Sequence, residues 1–418
     1  MPQISFAATA RALLLASCMS LAGCSGGGSA GTAGGGGAVI VTPTPTPVPV
    51  PTPTPTPTPV TPAGVSAVTT LDFTAVADYA NPALPAYYDA TVNGDDNTPP
   101  NNAIDNRIAT LGRVLFYDKR LSTTDTVSCV SCHQQALGFT DSARFSAGIN
   151  GGTFTNAHAM RLGNVRYYRP GSMFWDKRAA SVELQASQPI QNAVEMGWTP
   201  AAGGISALTV KLGATSFYPD LFTWAFGTPM ITEPRIQFAL AQFERAMVSY
   251  SSKWDTGYAA VFSPTGPNRN LNVDFPNFTA QENRGRQLFM SPPNAPGGGA
   301  GCAACHVPPT FALAANSQGN GLDAGETIAF KSPSLKSIGL TGPYMHDGRF
   351  ATLLDVVIHY DTGIQLGPAL DNRLRLPGGA PMRLNLSAAD RAALVAFLLT
   401  LSDTVLIADP KFGSPFRP

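Results

Sequence analysis

The feature that most constrains this chain is a short cysteine motif that occurs twice, as CVSCH at residues 129–133 and as CAACH at residues 302–306. Four of the 6 cysteines lie in these two units. Each pair of cysteines runs directly into a histidine, so none of the four is left over for a structural disulfide. The fold must therefore support two separate Cys-x-x-Cys-His units.

Three kinds of site use cysteine pairs of this spacing: a zinc knuckle, a redox dithiol and an attachment site for haem c. A zinc site needs both pairs to converge on one ion, and it gives no reason for a histidine after each pair. A redox dithiol needs one pair at the start of a helix, whereas this chain has two. In haem attachment both thiols bind vinyl groups and the adjacent histidine binds the iron. The sequence therefore predicts two covalent haem c groups, held by Cys129, Cys132 and His133 and by Cys302, Cys305 and His306.

The N-terminal residues indicate export and tethering. An apolar run that is too short to span a bilayer predicts a signal peptide over residues 1–23. It ends in LAGC, which resembles a bacterial lipobox and implies lipid attachment to Cys24; ordinary signal cleavage is the alternative. Residues 24–68 are rich in glycine and then in alternating Thr and Pro, which cannot form helix or strand hydrogen bonds and predict an extended, disordered stalk. The body is thus expected to be periplasmic and held to a bacterial membrane by lipid alone, and Ser25 favours the outer membrane.

The charge balance excludes one class of partner. The chain has 27 Lys and Arg residues against 27 Asp and Glu residues, and only 13% of its residues are charged. Binding of nucleic acid requires a basic face, so no nucleic-acid partner is predicted. The apolar share of 44% is typical of a globular protein.

Helical patterns dominate outside the motifs. Apolar residues recur at helical spacing in 104–115 and 236–247, and Thr279 with Glu282 has the spacing of a capping box before another helix. The two halves share the order helix, Cys-x-x-Cys-His, later ligand, later helix. This plan predicts an all-α fold with two cytochrome c-like haem domains and long loops. Their predicted ranges are 69–265 for the N-terminal domain and 266–418 for the C-terminal domain.

The chain resembles the bacterial di-haem cytochrome c peroxidases and the related MauG-type enzymes in six stretches, which follow the family's order: LGRVLFYDKRLS, VSCVSCH, FWDKRAASVELQASQPIQNAVEMG, ALAQFERAMVS, PSLKSIGLTGPYMHDGRFATL and LVAFLLTL. The resemblance extends over about residues 100–405 and does not cover the anchor or the stalk. It implies that the first haem reacts with peroxide and that the second transfers electrons.

The resemblance also implies roles for three residues near the first haem. Glu195 in VEMG maps to the acid–base residue, and Gln185, ten residues before it, maps to a glutamine of the same pocket. Trp175 in FWDKRA maps to a tryptophan that relays electrons between the haems. The alternatives are an ion-paired surface loop for Glu195 and a core position for Trp175. A carboxyl group on an apolar haem face can have its pKa raised into a range useful for proton transfer.

The chain departs from the best-known peroxidases at the distal ligands. Sixteen residues after His133, where those enzymes have a histidine that blocks the first iron, this chain has Ile149. An open iron is therefore expected, with His158 as the nearby substitute ligand. At the second haem the usual methionine is replaced by Tyr360, fourteen residues after His346, as in the MauG-type enzymes. The alternative ligands there are the residues His359 and Met382.

The family's calcium site maps less well. Its backbone-carbonyl ligands map to Thr341 and Pro343, but its side-chain ligand maps to His158, and calcium prefers oxygen. Bound Ca2+ is therefore an expectation that rests on the carbonyl groups alone.

The resemblance implies an enzyme that reduces hydrogen peroxide to water with electrons from a small periplasmic donor, a cytochrome c or a cupredoxin. One alternative is peroxide-dependent oxidation of a partner protein's aromatic residues, as in the MauG-type enzymes. Another is a non-enzymatic di-haem electron carrier. The family is often dimeric, so the resemblance also implies a homodimer.

Overall fold

A computed structural model describes residue 62 and residues 64–418 of the chain. The predicted signal peptide, the lipidation site Cys24 and most of the predicted stalk lie outside the described residues. Val65 falls within the range assigned to the stalk, yet it is fully buried in a hydrophobic cluster, so packed structure begins inside that range. Within the described part of the chain, no helix combines the length and apolarity needed to cross a membrane.

The described residues are rich in helix, as predicted. The helices are α1 Val65–Val68, α2 Ala90–Asn93, α3 Asn106–Tyr117, α4 Cys129–Cys132, α5 Val182–Ala186, α6 Gln188–Gln191, α7 Gly204–Gly213, α8 Tyr218–Phe226, α9 Glu233–Ala246, α10 Lys253–Val261, α11 Ala280–Met290, α12 Leu353–Ile358, α13 Ala388–Leu399 and α14 Thr404–Ala408. Two short strands, β1 His306–Val307 and β2 Ala312–Leu313, pair antiparallel. Short 3-10 turns and long loops connect these elements.

Side-chain caps define where the long helices begin. At α11 the predicted capping box forms: the Glu282 N–H donates to Thr279 Oγ1 at 3.2 Å, and the Thr279 N–H donates to Glu282 Oε2 at 2.6 Å. Asp105 caps α3 by accepting from two backbone N–H groups of the first turn. Each cap satisfies N–H groups that have no partner inside the helix.

Two helix pairs, α3 with α9 and α11 with α13, repeat the same packing. Both pairs cross at a glycine within a G-R-x-L-F stretch, Gly112 in α3 and Gly285 in α11. A Cβ atom on Gly112 would lie 1.9 Å from the Ala239 carbonyl oxygen, and one on Gly285 would lie 1.9 Å from that of Ala393. The crossings therefore require glycine, and they indicate two related halves, as the repeated motif predicted.

Each of the two large hydrophobic clusters contains residues from both halves of the chain. The first contains buried residues of α3, α8 and α9 but also Leu406 and Phe412 from the end of the chain. The second contains buried residues of α10 to α13 but also Tyr87 and Tyr167 from the N-terminal half. The domain ranges 69–265 and 266–418 remain predictions, and packing crosses them in both directions.

The glycine crossing predicts a large stability effect. Gly285→Ala should lower the free energy of unfolding by about 3 kcal/mol, because the added methyl group forces α11 away from α13. Gly213→Ala is the matched control, since no atom lies within 4 Å of a Cβ at that helical position; it should be neutral or stabilise the fold by up to about 1 kcal/mol. Chemical denaturation followed by circular dichroism measures both. Equal stability of the two variants would contradict the role of the crossing.

Candidate active site

The first Cys-x-x-Cys-His unit is a single helical turn. Cys129 and Cys132 begin and end α4, and the His133 N–H donates to the Cys129 carbonyl at 2.9 Å. The Nδ1 atom of His133 lies 3.1 Å from the Phe139 carbonyl oxygen, which can only accept, so Nδ1 carries the proton. The unprotonated Nε2 atom is then available to a metal, and the hydrogen bond holds the ring in orientation.

The second unit borders a large cavity. Cys302, Cys305 and His306 line a space of about 820 Å3 whose walls are mostly apolar. This volume is in the range of small-molecule and cofactor pockets. The Nδ1 atom of His306 is buried and has no hydrogen-bond partner within the described residues. A cavity bordered by both thiols and the histidine fits a covalently attached haem.

The two alternatives for the cysteine pairs do not fit. Burial raises the pKa of Cys302 to about 12 and that of Cys132 to about 11, whereas a redox dithiol needs a lowered thiol pKa. Across residues 64–418, no three His, Cys, Asp or Glu side chains come together in a group that could hold a metal ion. The two pairs therefore do not converge on one zinc site.

Glu195 faces a second, smaller cavity. This space of about 350 Å3 is also lined by Arg178, Gln188, Gln191 and Asn192. Burial raises the pKa of the Glu195 carboxyl group, and the positive charge of Arg178 opposes this only in part. The raised pKa is the property that a proton-transferring carboxyl group requires.

The glutamines at this cavity are not the one that the resemblance implied. Gln185 lies on α5 and is not among the residues that line the Glu195 cavity, while Gln188 and Gln191 of α6 are. Ser187 separates the two short helices, so residues before and after it face different directions. Within one helix, the spacing of Gln188 and Gln191 places them on one face, and this spacing was the available sequence signal.

Ile149 lies directly against the segment that carries Glu195. Its backbone N–H donates to the Val194 carbonyl at 2.9 Å. Gly197, whose φ is +84°, approaches so closely that a Cβ atom there would lie 2.5 Å from Ile149 Cδ1. The residue at the blocking position is therefore apolar and next to Glu195.

His158 is held by protein groups at both ring nitrogens. Its Nε2 atom lies 3.3 Å from Thr140 Oγ1, and its Nδ1 atom lies 3.1 Å from the Ala143 carbonyl oxygen. The side chain is buried, which lowers its pKa. These bonds leave no free nitrogen for a metal, so the geometry favours a packing residue over a haem ligand.

Trp175 borders the 820 Å3 cavity. Its indole Nε1–H donates to the His158 carbonyl at 2.7 Å. His346 also lines the cavity, with its ring centroid 6.4 Å from that of Trp175. His346 in turn stacks on Phe330 at 3.8 Å. These contacts place an oxidisable indole at the edge of the space that fits the second haem.

Tyr360 lines the same cavity. It lies in a π-helical turn, His359–Gly363, directly after α12. Its hydroxyl oxygen is 3.4 Å from the Asn320 side-chain nitrogen, which donates to it, while burial raises the Tyr360 pKa. His359 is absent from the lining and bonds to the Asn320 carbonyl at 3.1 Å. Three methionines, Met290, Met345 and Met382, also line the cavity.

Among the residues that map to the calcium site, the side chains of Thr341 and His158 are occupied by protein contacts, and the backbone carbonyls of Thr341 and Pro343 stay predicted ligands. Thr341 is buried, and its hydroxyl accepts a hydrogen bond from Arg161 Nη1 at 3.2 Å. His158 offers no oxygen from its side chain. A guanidinium group beside the carbonyl ligands also repels a dication.

The comparisons with known proteins agree with this geometry. A family model described as di-haem cytochrome c peroxidase matches residues 106–260. The chain is 32% identical over 362 residues to the methylamine utilization protein MauG of Methylorubrum extorquens, covering 82% of this chain and 92% of that protein. It is 32% identical over 337 residues to the cytochrome c551 peroxidase of Nitrosomonas europaea, covering 74% and 83%. A solved MauG-like protein associated with microbial copper homeostasis has a TM-score of 0.64 at 28% identity, over 80% of this chain and 99% of that one.

A helix-rich fold with two Cys-x-x-Cys-His units defines a c-type cytochrome. The chain belongs to the di-haem cytochrome c peroxidase family, which includes MauG, and it is a haem peroxidase with haem c cofactors.

Proposed function

We propose that this enzyme reduces hydrogen peroxide to water at the haem of the first motif, with electrons that enter through the haem of the second. The observation that carries the proposal is the contact between Ile149 and the segment of Glu195. An apolar residue at the blocking position leaves the first iron open without prior reduction. The nearby carboxyl group then has access to peroxide.

The bound haem of the first motif supplies an iron at which peroxide is reduced. Glu195 accepts a proton from one peroxide oxygen and returns it to the departing oxygen, so that two electrons and two protons yield two water molecules. The amide groups of Gln188 and Gln191 line the same cavity and orient the peroxide. For Gln185, on the neighbouring helix α5, a role in the same pocket is proposed by resemblance to the family alone.

Trp175 is proposed to relay the electrons between the haems. Its hydrogen bond to the His158 carbonyl fixes the indole at the edge of the 820 Å3 cavity. An oxidisable ring held in one orientation shortens the path between the two metal centres. Tyr360 is proposed as the distal ligand of the second iron, because it lines the cavity and His359 does not.

The electron donor is proposed to be a small periplasmic cytochrome c or cupredoxin. The proposal includes export of the chain, lipid attachment at Cys24 and tethering by the Thr-Pro stalk, all on the sequence patterns alone. A homodimer is proposed by resemblance to the family.

A second candidate function is peroxide-dependent oxidation of an aromatic side chain on a partner protein. Tyr360 favours it, because an anionic oxygen ligand stabilises higher iron oxidation states than methionine sulfur does. The likeness to MauG and to a MauG-like structure is consistent with it. Turnover of peroxide with a reduced small cytochrome as the only electron source supports the first function. Peroxide consumption that depends on a co-purified protein and changes that protein's mass supports the second.

Glu195→Gln is expected to slow the reaction with peroxide by at least about 100-fold, because the amide cannot transfer a proton. In the unmodified enzyme the rate should fall as the pH falls through the pKa of Glu195, which burial raises above 4.5. This pH dependence should vanish in the variant. Stopped-flow absorbance at several pH values measures both. Glu282→Gln, in a surface ion pair with Lys253 away from the cavity, is the control; equal rates in the two variants would exclude Glu195 as the acid–base group.

Ile149→His is expected to close the first iron. The oxidised native protein should give a high-spin ferric EPR signal that one equivalent of peroxide abolishes without reductant. The histidine variant should give a low-spin signal in its place and should ignore peroxide until it is reduced. Ile149→Val preserves the apolar character and should behave as the native protein does. Two low-spin signals in the native protein would contradict an open site.

Tyr360→Met should raise the reduction potential of one haem, because thioether sulfur favours the ferrous state more than phenolate does. A spectroscopic redox titration measures the two potentials separately. Met382→Leu is the control, since Met382 lines the same cavity. If Met382→Leu rather than the Tyr360 variant changed the low-spin signal, Met382 would be the ligand.

A further inference from the structure

Lys331 is a buried cation that borders the second haem cavity. Its side chain is 4% exposed, and its Nζ atom contacts the sulfur of Met173 at 3.6 Å and lies 4.7 Å from the ring centre of Tyr168. Its backbone N–H donates to the Trp175 carbonyl at 2.6 Å. Lys331 is thus bonded to the backbone of the proposed relay residue and places a positive charge at the edge of the cavity.

Arg161 lines the same cavity from the loop that follows His158. Its Nε atom donates to the Ser334 carbonyl at 2.6 Å, and Nη1 donates to the Thr341 hydroxyl at 3.2 Å. These bonds fix the guanidinium plane against the segment whose carbonyl groups map to the calcium site. Arg161 is therefore a second fixed cation in the wall of the cavity that Trp175 also lines.

Neither cation has an acidic partner. Among the ion pairs of residues 64–418, no carboxylate pairs with Arg161 or Lys331. By contrast Lys336, five residues further along and equally buried, pairs with Asp255. Burial first, and then the positive charges of Arg161 and Lys177, lower the pKa of Lys331 to about 7.

A buried charge without a partner is unfavourable unless a bound group supplies the opposite charge. The group that fits this cavity by volume and by its thiols brings two carboxylates, the propionates of haem c. Planar, fixed guanidinium donors suit a carboxylate, and an ammonium group suits it as a point charge.

We propose that Arg161 and Lys331 bind the propionates of the haem attached to Cys302 and Cys305, and that they supply beside Trp175 the positive charge that calcium supplies elsewhere in the family. The inference rests on the proposed haem attachment and not on the proposed reaction with peroxide. A protein cation cannot dissociate, so the electrostatics around Trp175 would not depend on free calcium.

The first test is removal of calcium from the holoenzyme with EGTA, followed by EPR and a redox titration without peroxide. Both reduction potentials and both ferric signals are expected to stay unchanged, and added Ca2+ should have no effect. A change that Ca2+ reverses would overturn the proposal, because it would show a working dication site.

The second test is Lys331→Met, which removes the charge but keeps an unbranched side chain in the buried position. Loss of a cation near the iron stabilises the ferric state, so the redox equilibrium of one haem should shift about tenfold towards it, equivalent to about 59 mV for one electron. The potential of the other haem should change much less. Arg161→Met should act in the same direction.

Two controls separate charge from packing. Lys331→Arg retains the charge and should retain the native potential. Lys253→Met removes a lysine that pairs with Glu282 at the surface and should leave both potentials unchanged. The proposal fails if Lys331→Met leaves both potentials unchanged, or if Lys331→Arg shifts the potential as far as Lys331→Met does. Because no peroxide is used, these results are independent of whether the enzyme is a peroxidase or an oxidase of a partner protein.

Discussion

Two hydrogen bonds at the backbone of His158 connect three segments that lie far apart in the sequence. Its N–H donates to the His346 carbonyl at 2.8 Å, and its carbonyl accepts from the Trp175 indole at 2.7 Å. Buried backbone groups must be paired, so a shift of any one segment would leave polar groups without partners. The position of Trp175 at the second cavity follows from these bonds. The imidazole of His158 also fixes the position of this loop, through its ring contacts with Thr140 and Ala143.

The local parts of the site could be predicted from the sequence, because they depend on spacing. Counting from His133 identified Ile149, and a backbone bond to Val194 brings that residue beside Glu195. Counting from His346 identified Tyr360, which lines the second cavity. Spacing did not identify Gln188 and Gln191, which line the Glu195 cavity. A helix boundary at Ser187 changes which glutamines face the Glu195 cavity. A residue count over ten positions does not show such a boundary, because helix ends cannot be located from the sequence to within one or two residues.

The contacts between residues distant in sequence could not be predicted, because the sequence near a charged residue does not show which groups will surround it in the fold. Lys331 and Lys336 stand five residues apart and are both buried, yet only Lys336 contacts a carboxylate, that of Asp255, 81 positions earlier in the chain. The same holds for the core. Phe412 belongs by sequence to the C-terminal half, but it packs in the first hydrophobic cluster, against Tyr79 and Phe243. Tertiary contacts decide both outcomes.

The repeated scaffold and the unequal sites have different physical origins. Gly112 and Gly285 allow the same close packing in two equivalent helix pairs, so the two halves provide similar scaffolds for a haem. The histidines differ: Nδ1 of His133 donates to a carbonyl, whereas Nδ1 of His306 has no partner in the described part of the chain. A hydrogen bond at Nδ1 makes the imidazole a stronger donor to a metal, which favours higher iron oxidation states. In the proposed mechanism the peroxide site is the one that needs this support. The second site has fixed cations along its cavity instead, and these oppose part of the stabilisation that a Tyr360 phenolate would give to the higher oxidation states of its iron.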